Sequence, residues 1–118
     1  MKPTLTIISS PPYRGSRTVE KLEVAMVCAA FDMPSTILFR GAGLHALSKY
    51  QDTSAMGVRN VGKLINALPT YEIERIFVCA EDLAASAYTE NDLVIPVQPI
   101  DREAQGKLIA EHMVVFGD

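Results

Sequence analysis

The sequence predicts an α/β domain built on a mainly parallel sheet covered on both faces. Three observations carry that expectation. Short, largely apolar runs at 5–8 and 36–39 read as buried strands, and 73–78, ending in Ile76-Phe77-Val78, reads as a third strand. Between them lie stretches in which apolar residues recur at three- and four-residue spacing, the mark of amphipathic helices. Finally, 118 residues with 48 % hydrophobic content suffice for one core without staples, so a single domain over 1–118 is expected. Parallel strands need such helical crossovers, and the alternation runs the length of the chain.

The first strand is Leu5-Thr6-Ile7-Ile8, ended by the loop residues Ser9-Ser10-Pro11-Pro12. From about residue 16 the pattern turns helical, with Ser16 placed to cap and Val19, Leu22, Met26 and Ala29 in register. Its second half is apolar on every side through Val24, Ala25, Val27, Cys28, Ala30 and Phe31, so this helix is either deeply buried or covered by a partner. Asp32-Met33-Pro34 breaks it, because proline disfavours helical geometry in the residue before it. Thr36-Ile37-Leu38-Phe39 follows as the second strand and ends at Arg40-Gly41-Ala42-Gly43. One helical turn is expected over 44–47 and a polar loop over 48–55.

Val61, Leu64, Ile65 and Leu68 form the cleanest amphipathic stripe, with Arg59, Asn60, Lys63 and Asn66 elsewhere on the wheel; that helix is expected to stop at Pro69. The third strand, 73–78, runs into Cys79 and a short helix reaching about Tyr88. Asn91-Asp92 marks a turn before a fourth strand, Leu93-Val94-Ile95, stopped by Pro96. The last helix begins at Pro99-Ile100-Asp101, capped by Asp101, with Ala104, Leu108 and Ile109 facing inward, and 113–116 is a fifth strand.

The charge balance bounds the partners. Eleven basic and fourteen acidic residues give a net charge of -3, and the cations are scattered singly, so direct nucleic-acid binding is not expected. No apolar run approaches the roughly 20 residues of a membrane span, so no membrane insertion is expected. Two cysteines without pairing spacing and no leader-like N-terminus lead to the expectation of a reduced, cytoplasmic protein. The positive mean hydropathy, +0.14, leaves either a generous core or a face for another subunit.

Cys79 is the main candidate for chemistry. Ligands in open α/β sheets collect at the carboxyl ends of strands, and a helix start there favours an anion such as a thiolate. Glu81 and Asp82 follow at once, and carboxylates in a first turn compete for the same helix dipole. Cys28 sits in the apolar half of the first helix and reads as a small core hydrophobe. Gly41-Ala42-Gly43 lacks the third glycine of a dinucleotide fingerprint, having Ala46 there, and reads as a tight turn. His45 and His112 lie on different elements without ligand spacing, so no metal and no cofactor are expected. His45 follows the second strand and either faces the same crevice as Cys79 or stands in solvent. Arg40, placed after the second strand much as Cys79 follows the third, is the candidate nearby cation.

The order of these features resembles the DsrE/DsrF/DsrH-like family, and within it the DsrF or TusC type of sulfur-relay subunit. It is carried by a strand then Ser9-Ser10-Pro11, an apolar helix, a strand then a glycine turn, Leu68-Pro69-Thr70-Tyr71-Glu72-Ile73, and Phe77-Val78-Cys79-Ala80, over about residues 5–116. The resemblance implies a three-layer α/β/α domain with a mainly parallel five-stranded sheet. It also implies an oligomer with sister DsrE/TusD-like and DsrH/TusB-like subunits. Such complexes pass sulfane sulfur between cysteine persulfides to a downstream acceptor protein, toward tRNA 2-thiouridine in one branch and in sulfur oxidation in the other.

In the family's DsrE or TusD type the cysteine after the third strand carries the persulfide, and Cys79 matches that position. Arg40, Gly41, Gly43, His45, Ser9 and Ser10 are its candidate neighbours. Two departures stand out. The basic residues and glycine that usually follow the cysteine are Leu83-Ala84-Ala85-Ser86-Ala87 here, and an acidic residue often present in the glycine turn is Ala42. The alternatives are a non-catalytic assembly subunit of such a complex, or a stand-alone homo-oligomer of the same fold that binds a small ligand.

Overall fold

The computed structural model describes residues 4–51, 53, 60–112 and 114–117. Five strands form one sheet: β1 Thr4–Ile8, β2 Ser35–Phe39, β3 Arg75–Cys79, β4 Gln98–Ile100 and β5 Val114–Phe116. Their order is β4-β3-β2-β1-β5, and every pairing is parallel. The first three strands are rich in β-branched and aromatic residues and nearly all buried, as a sheet covered on both faces requires. Their registers align the carboxyl ends, pairing Ile8 with Phe39, Phe39 with Val78, and Cys79 with Ile100.

Strand alternation divides the core in two. Ile8, Ile37, Phe39, Ile76 and Val78 join the larger cluster, under α1 (Arg17–Ala30) and α2 (Val61–Asn66). Leu5, Ile7, Leu38 and Phe77 face the other way and meet Leu108 and Ile109 of α4 (Arg102–Glu111). Because β4 and β5 are the two edges of the sheet, α4 crosses that face, and among the described residues it is the helix that packs there. The result is the expected three-layer α/β/α domain.

α1 buries Thr18, Leu22, Ala25 and Met26 but leaves Val24, Val27 and Phe31 exposed, so it is not deeply buried within this chain. Ser16 does not cap it through its side chain: the hydroxyl donates instead to Glu20 Oε1, 2.8 Å away, one turn along. Asp32, in the left-handed conformation at φ 60°, turns the chain out before Met33-Pro34. Rather than a tight turn and one helical turn, residues Gly41–Leu47 form a continuous 3-10 helix. Asn60 caps α2 by accepting from the Lys63 N–H at 3.1 Å.

Pro69 does not stop the helix. α2 ends at Asn66 and the chain continues as a 3-10 helix over Leu68–Tyr71, which takes Pro69 in its first turn, where the missing N–H leaves no bond unmade. Arg59, Met113 and part of the expected 48–55 loop lie outside the described residues.

The fourth strand is not Leu93-Val94-Ile95. Leu93 makes one isolated antiparallel bridge to Ser48, and Leu93 and Ile95 are instead buried in the larger core. Their apolarity serves packing and not a ladder. The strand is Gln98-Pro99-Ile100, at the edge, where a proline can present its missing N–H to solvent. Accordingly α4 starts at Arg102, later than the expected Pro99; Asp101 does cap it, accepting from the Ala104 N–H at 2.8 Å. α3 spans Ala80–Ala85, ending short of Tyr88.

Candidate functional site

β3 ends at Cys79, which is also the residue preceding the first turn of α3. Alternation along β3 puts Ile76 and Val78 on the α1/α2 face, and so Phe77 and Cys79 on the α4 face. The chain leaving β3 packs Leu83 of α3 against the α1/α2 cluster, whereas the chain leaving β4 becomes α4 on the opposite face. Two neighbouring parallel strands whose connections part to opposite faces leave a crevice at their carboxyl ends, the usual ligand position in open α/β sheets. Here the crevice holds about 250 Å³ and is lined by Arg40, Cys79, Asp82 and, from α4, Arg102, Gln105, Gly106 and Ile109.

Cys79 is only 1 % exposed. Its Sγ–H donates to Glu81 Oε1 at 3.6 Å, and the other oxygen of that carboxylate, Oε2, accepts the backbone N–H of Arg102 at 3.2 Å. Asp82 Oδ2 accepts the N–H of Gly41 at 2.7 Å, and its Oδ1 lies 3.8 Å from the Arg102 guanidinium. Two consecutive acidic residues thus tie the turn after β2, the start of α3 and the start of α4 around one sulfur. Their charge state follows. The N–H groups of Glu81 itself and of Arg102 hold the Glu81 carboxyl below its usual value, with smaller contributions from the Cys79 thiol and the Arg102 charge. The Gly41 N–H does the same for Asp82, aided by the thiol and by Arg102 and Arg40.

Among the residues expected near Cys79, Arg40 lines the crevice and Gly41 reaches it through Asp82. Ser9, Ser10, Gly43 and His45 do not line it. Gly43 serves the packing of the fold instead. A Cβ there would fall 2.1 Å from the Ile8 carbonyl oxygen, so the 3-10 helix can lie against the end of β1 only with glycine. Ser9 sits on the same side, its carbonyl 3.7 Å from where a Gly41 Cβ would be. His45 is exposed and engages Tyr88, with Nδ1 2.9 Å from the phenol oxygen and the rings edge to face. Cys28 is half-buried on α1.

Sequence reasoning missed Arg102, Gln105 and Gly106. The signal available was Asp101, whose cap fixes the start of α4; the misplaced fourth strand hid that this start abuts Cys79. No group of three or more His, Cys, Asp or Glu among the described residues could hold a metal ion. No helix of the described residues is long and apolar enough to cross a membrane.

Residues 2–116 match the DsrE/DsrF-like family model. The chain is 35 % identical over 101 residues to the intracellular sulfur oxidation protein DsrF of Allochromatium vinosum, covering 85 % of this chain and 74 % of that one. It is 27 % identical over 113 residues to a TusC homolog of Pseudomonas aeruginosa, covering 95 % of each. In structure it is similar to the YchN protein of E. coli, with a TM-score of 0.84 over the whole of both chains at 11 % identity. A conserved protein of unknown function from Bacteroides thetaiotaomicron superposes with a TM-score of 0.62 at 14 % identity, over 98 % of this chain and 94 % of the other. Those two likenesses bear on the fold alone.

Proposed function

The chain belongs to the DsrE/DsrF-like family, and from that premise we propose that it is a subunit of a sulfur-relay complex in which Cys79 accepts sulfane sulfur as a persulfide and passes it on. The observation that carries the reading is the position of Cys79: a thiol at the carboxyl end of β3, in a crevice that Arg40 and Arg102 also line. A persulfide is an anion near neutral pH, and two guanidinium groups at the rim favour its approach. The relatives' names support the sulfur setting, one being a sulfur oxidation protein and others TusC homologs. Both cysteines are free thiols, as a reducing cytoplasmic compartment would keep them.

The test is direct. The protein, with its sister DsrE/TusD-like and DsrH/TusB-like subunits, is incubated with a cysteine desulfurase and cysteine, and its intact mass is measured. One added sulfur that peptide mapping places on Cys79 is the expected result. An unchanged mass with those subunits present would sink the carrier role.

A second reading, that of a non-catalytic assembly subunit, has its own observation. The thiol is almost fully covered and engaged by Glu81, while α1 carries the exposed apolar stripe Val24, Val27 and Phe31. On this reading Cys79→Ser leaves sulfur transfer through the reconstituted complex to its acceptor protein at the wild-type rate; on the carrier reading it stops it.

A further inference from the structure

A carrier thiol must lose its proton as it attacks, and two carboxylates stand by Cys79 and are held in different ways, Asp82 in the crevice lining and Glu81 on the exposed start of α3. Both oxygens of Asp82 already have other partners, the Gly41 N–H and the Arg102 guanidinium, and the thiol contributes to this carboxylate's lowered pKa only after the Gly41 N–H. Glu81 is held by its own backbone N–H and, through Oε2, by the backbone N–H of Arg102, the first residue of α4. That N–H is one of the donors a helix start leaves without an internal partner, and α4, ten residues long, offers its positive end there. The anchor therefore both fixes the carboxylate and favours its charge, consistent with its lowered pKa. The remaining oxygen, Oε1, is turned to the Cys79 sulfur at 3.6 Å.

Resting on the carrier reading above, we propose that Glu81 is the proton acceptor for Cys79 during sulfur uptake, a catalytic residue and not merely an unfavourable charge beside a thiol. The incoming donor is a persulfide, which reacts in its protonated form R–S–SH, the form whose terminal sulfur is electrophilic. Cys79 Sγ attacks its terminal sulfur as the thiol proton passes to Glu81 Oε1. The new Sγ–S bond forms while the donor's S–S bond breaks, and the electron pair leaves on the donor's thiolate, which takes the proton back from Glu81. The balance is one thiol and one persulfide on each side, with no oxidant or reductant. Taking up the thiol proton is the uphill half of this exchange for a carboxylate, helped by Oε1 already accepting the S–H, and its return to the far more basic departing thiolate is downhill.

The sign of one substitution separates this role from simple repulsion. If Glu81 only opposes negative charge on sulfur, Glu81→Gln removes that opposition and sulfur uptake is as fast or faster. If Glu81 takes the proton, the same change slows it, by about tenfold or more given the usual worth of a positioned base. The experiment follows single-turnover uptake from cysteine persulfide by the full chain, by intact mass with peptide mapping, from acidic to alkaline pH. The expected result is a slow Glu81→Gln variant whose rate climbs with pH where the wild type is nearly flat, and partial recovery in Glu81→Asp. Wild-type loading at Cys79 with an unslowed Glu81→Gln overturns the role of Glu81 and leaves the carrier reading standing. No loading of the wild type with its sister subunits also present overturns the carrier reading itself and this role with it. Should Glu81→Gln fail to fold, Glu81→Asp decides: a slower rate supports the proton transfer, and an unchanged or faster one overturns it.

Discussion

Two glycines near the crevice are glycine for opposite reasons, and alanine should move stability in opposite directions. At Gly43 a Cβ would lie 2.1 Å from the Ile8 oxygen and 2.7 Å from its carbon, atoms of β1, an interior strand that cannot give way cheaply. Gly43→Ala is expected to destabilise by about 3 kcal/mol, as overpacking against rigid backbone does. Gly106 lies inside α4 with nothing within 4 Å of a Cβ, so Gly106→Ala should stabilise by about 0.5–1 kcal/mol. Urea midpoints at unchanged slope measure both; a Gly43→Ala variant within about 0.5 kcal/mol of wild type would refute the close approach. Acid offers a second test at this scale. Glu81 and Asp82 have depressed values in the fold, so the stability they contribute is present above their ordinary values of 4.5 and 3.8 and is lost as pH falls through the folded ones. Asp82→Asn should therefore be less stable than wild type at pH 7, and the two unfolding curves should converge in strong acid. A gap that persists below about pH 2 would show that the lost charge is not the cause.

At the scale of elements, α4 is the exposed point of the architecture, since among the described residues it is the helix that covers one face of the sheet, and its first turn lines the crevice. Its start depends on the Asp101 side chain at 2.8 Å from the Ala104 N–H. Asp101→Ala should lower stability by about 1 kcal/mol. Because the Arg102 N–H holds Glu81 beside the thiol, the same change should raise the rate of iodoacetamide labelling at Cys79 severalfold. Loss of stability without faster labelling would mean that α4 does not guard the sulfur. The sequence made much of this legible, and for physical reasons. Asp101, Asn60 and the runs ending at Ile8, Phe39 and Cys79 are local signals, and each sits where its own chemistry put it. Leu93 and Ile95 misled because an apolar run states only that residues are buried, not that they pair; the true strand hides behind Pro99, tolerable only at an edge whose position is a fact of topology. That one slip hid β4 at residues 98–100, and with it the seating of Arg102, Gln105 and Gly106 beside Cys79. The partnership of Glu81 with the Arg102 N–H joins residues far apart in sequence, and nothing local announces it.

For the whole molecule, the topology separates the sulfur chemistry from the surface offered to partners. Strand β1 runs toward the crevice end and α1 runs back, so Phe31, 74 % exposed, lies at the end of the domain opposite Cys79. Val24, Val27 and Phe31 share one outward face of α1, spaced three and four residues apart, and Val24 also meets the edge strand at a groove with Val115 and Phe116. An isolated exposed valine is ordinary, but a stripe this continuous is where an apolar partner surface is expected. Val27→Glu should leave the folding stability of the isolated chain within about 0.5 kcal/mol, because the residue touches no core cluster. If sister subunits pack on this face, the same change desolvates a carboxylate without a partner and should dissociate the complex in sedimentation at concentrations where the wild type stays assembled. Uptake of sulfur from cysteine persulfide at Cys79 should survive in the dissociated variant, since this chain's own fold brings Arg40, Cys79, Asp82 and Arg102 together. A Val27→Glu complex that sediments like wild type would move the assembly surface off α1. A dissociated variant that no longer takes up sulfur would instead mean that the partner completes the site.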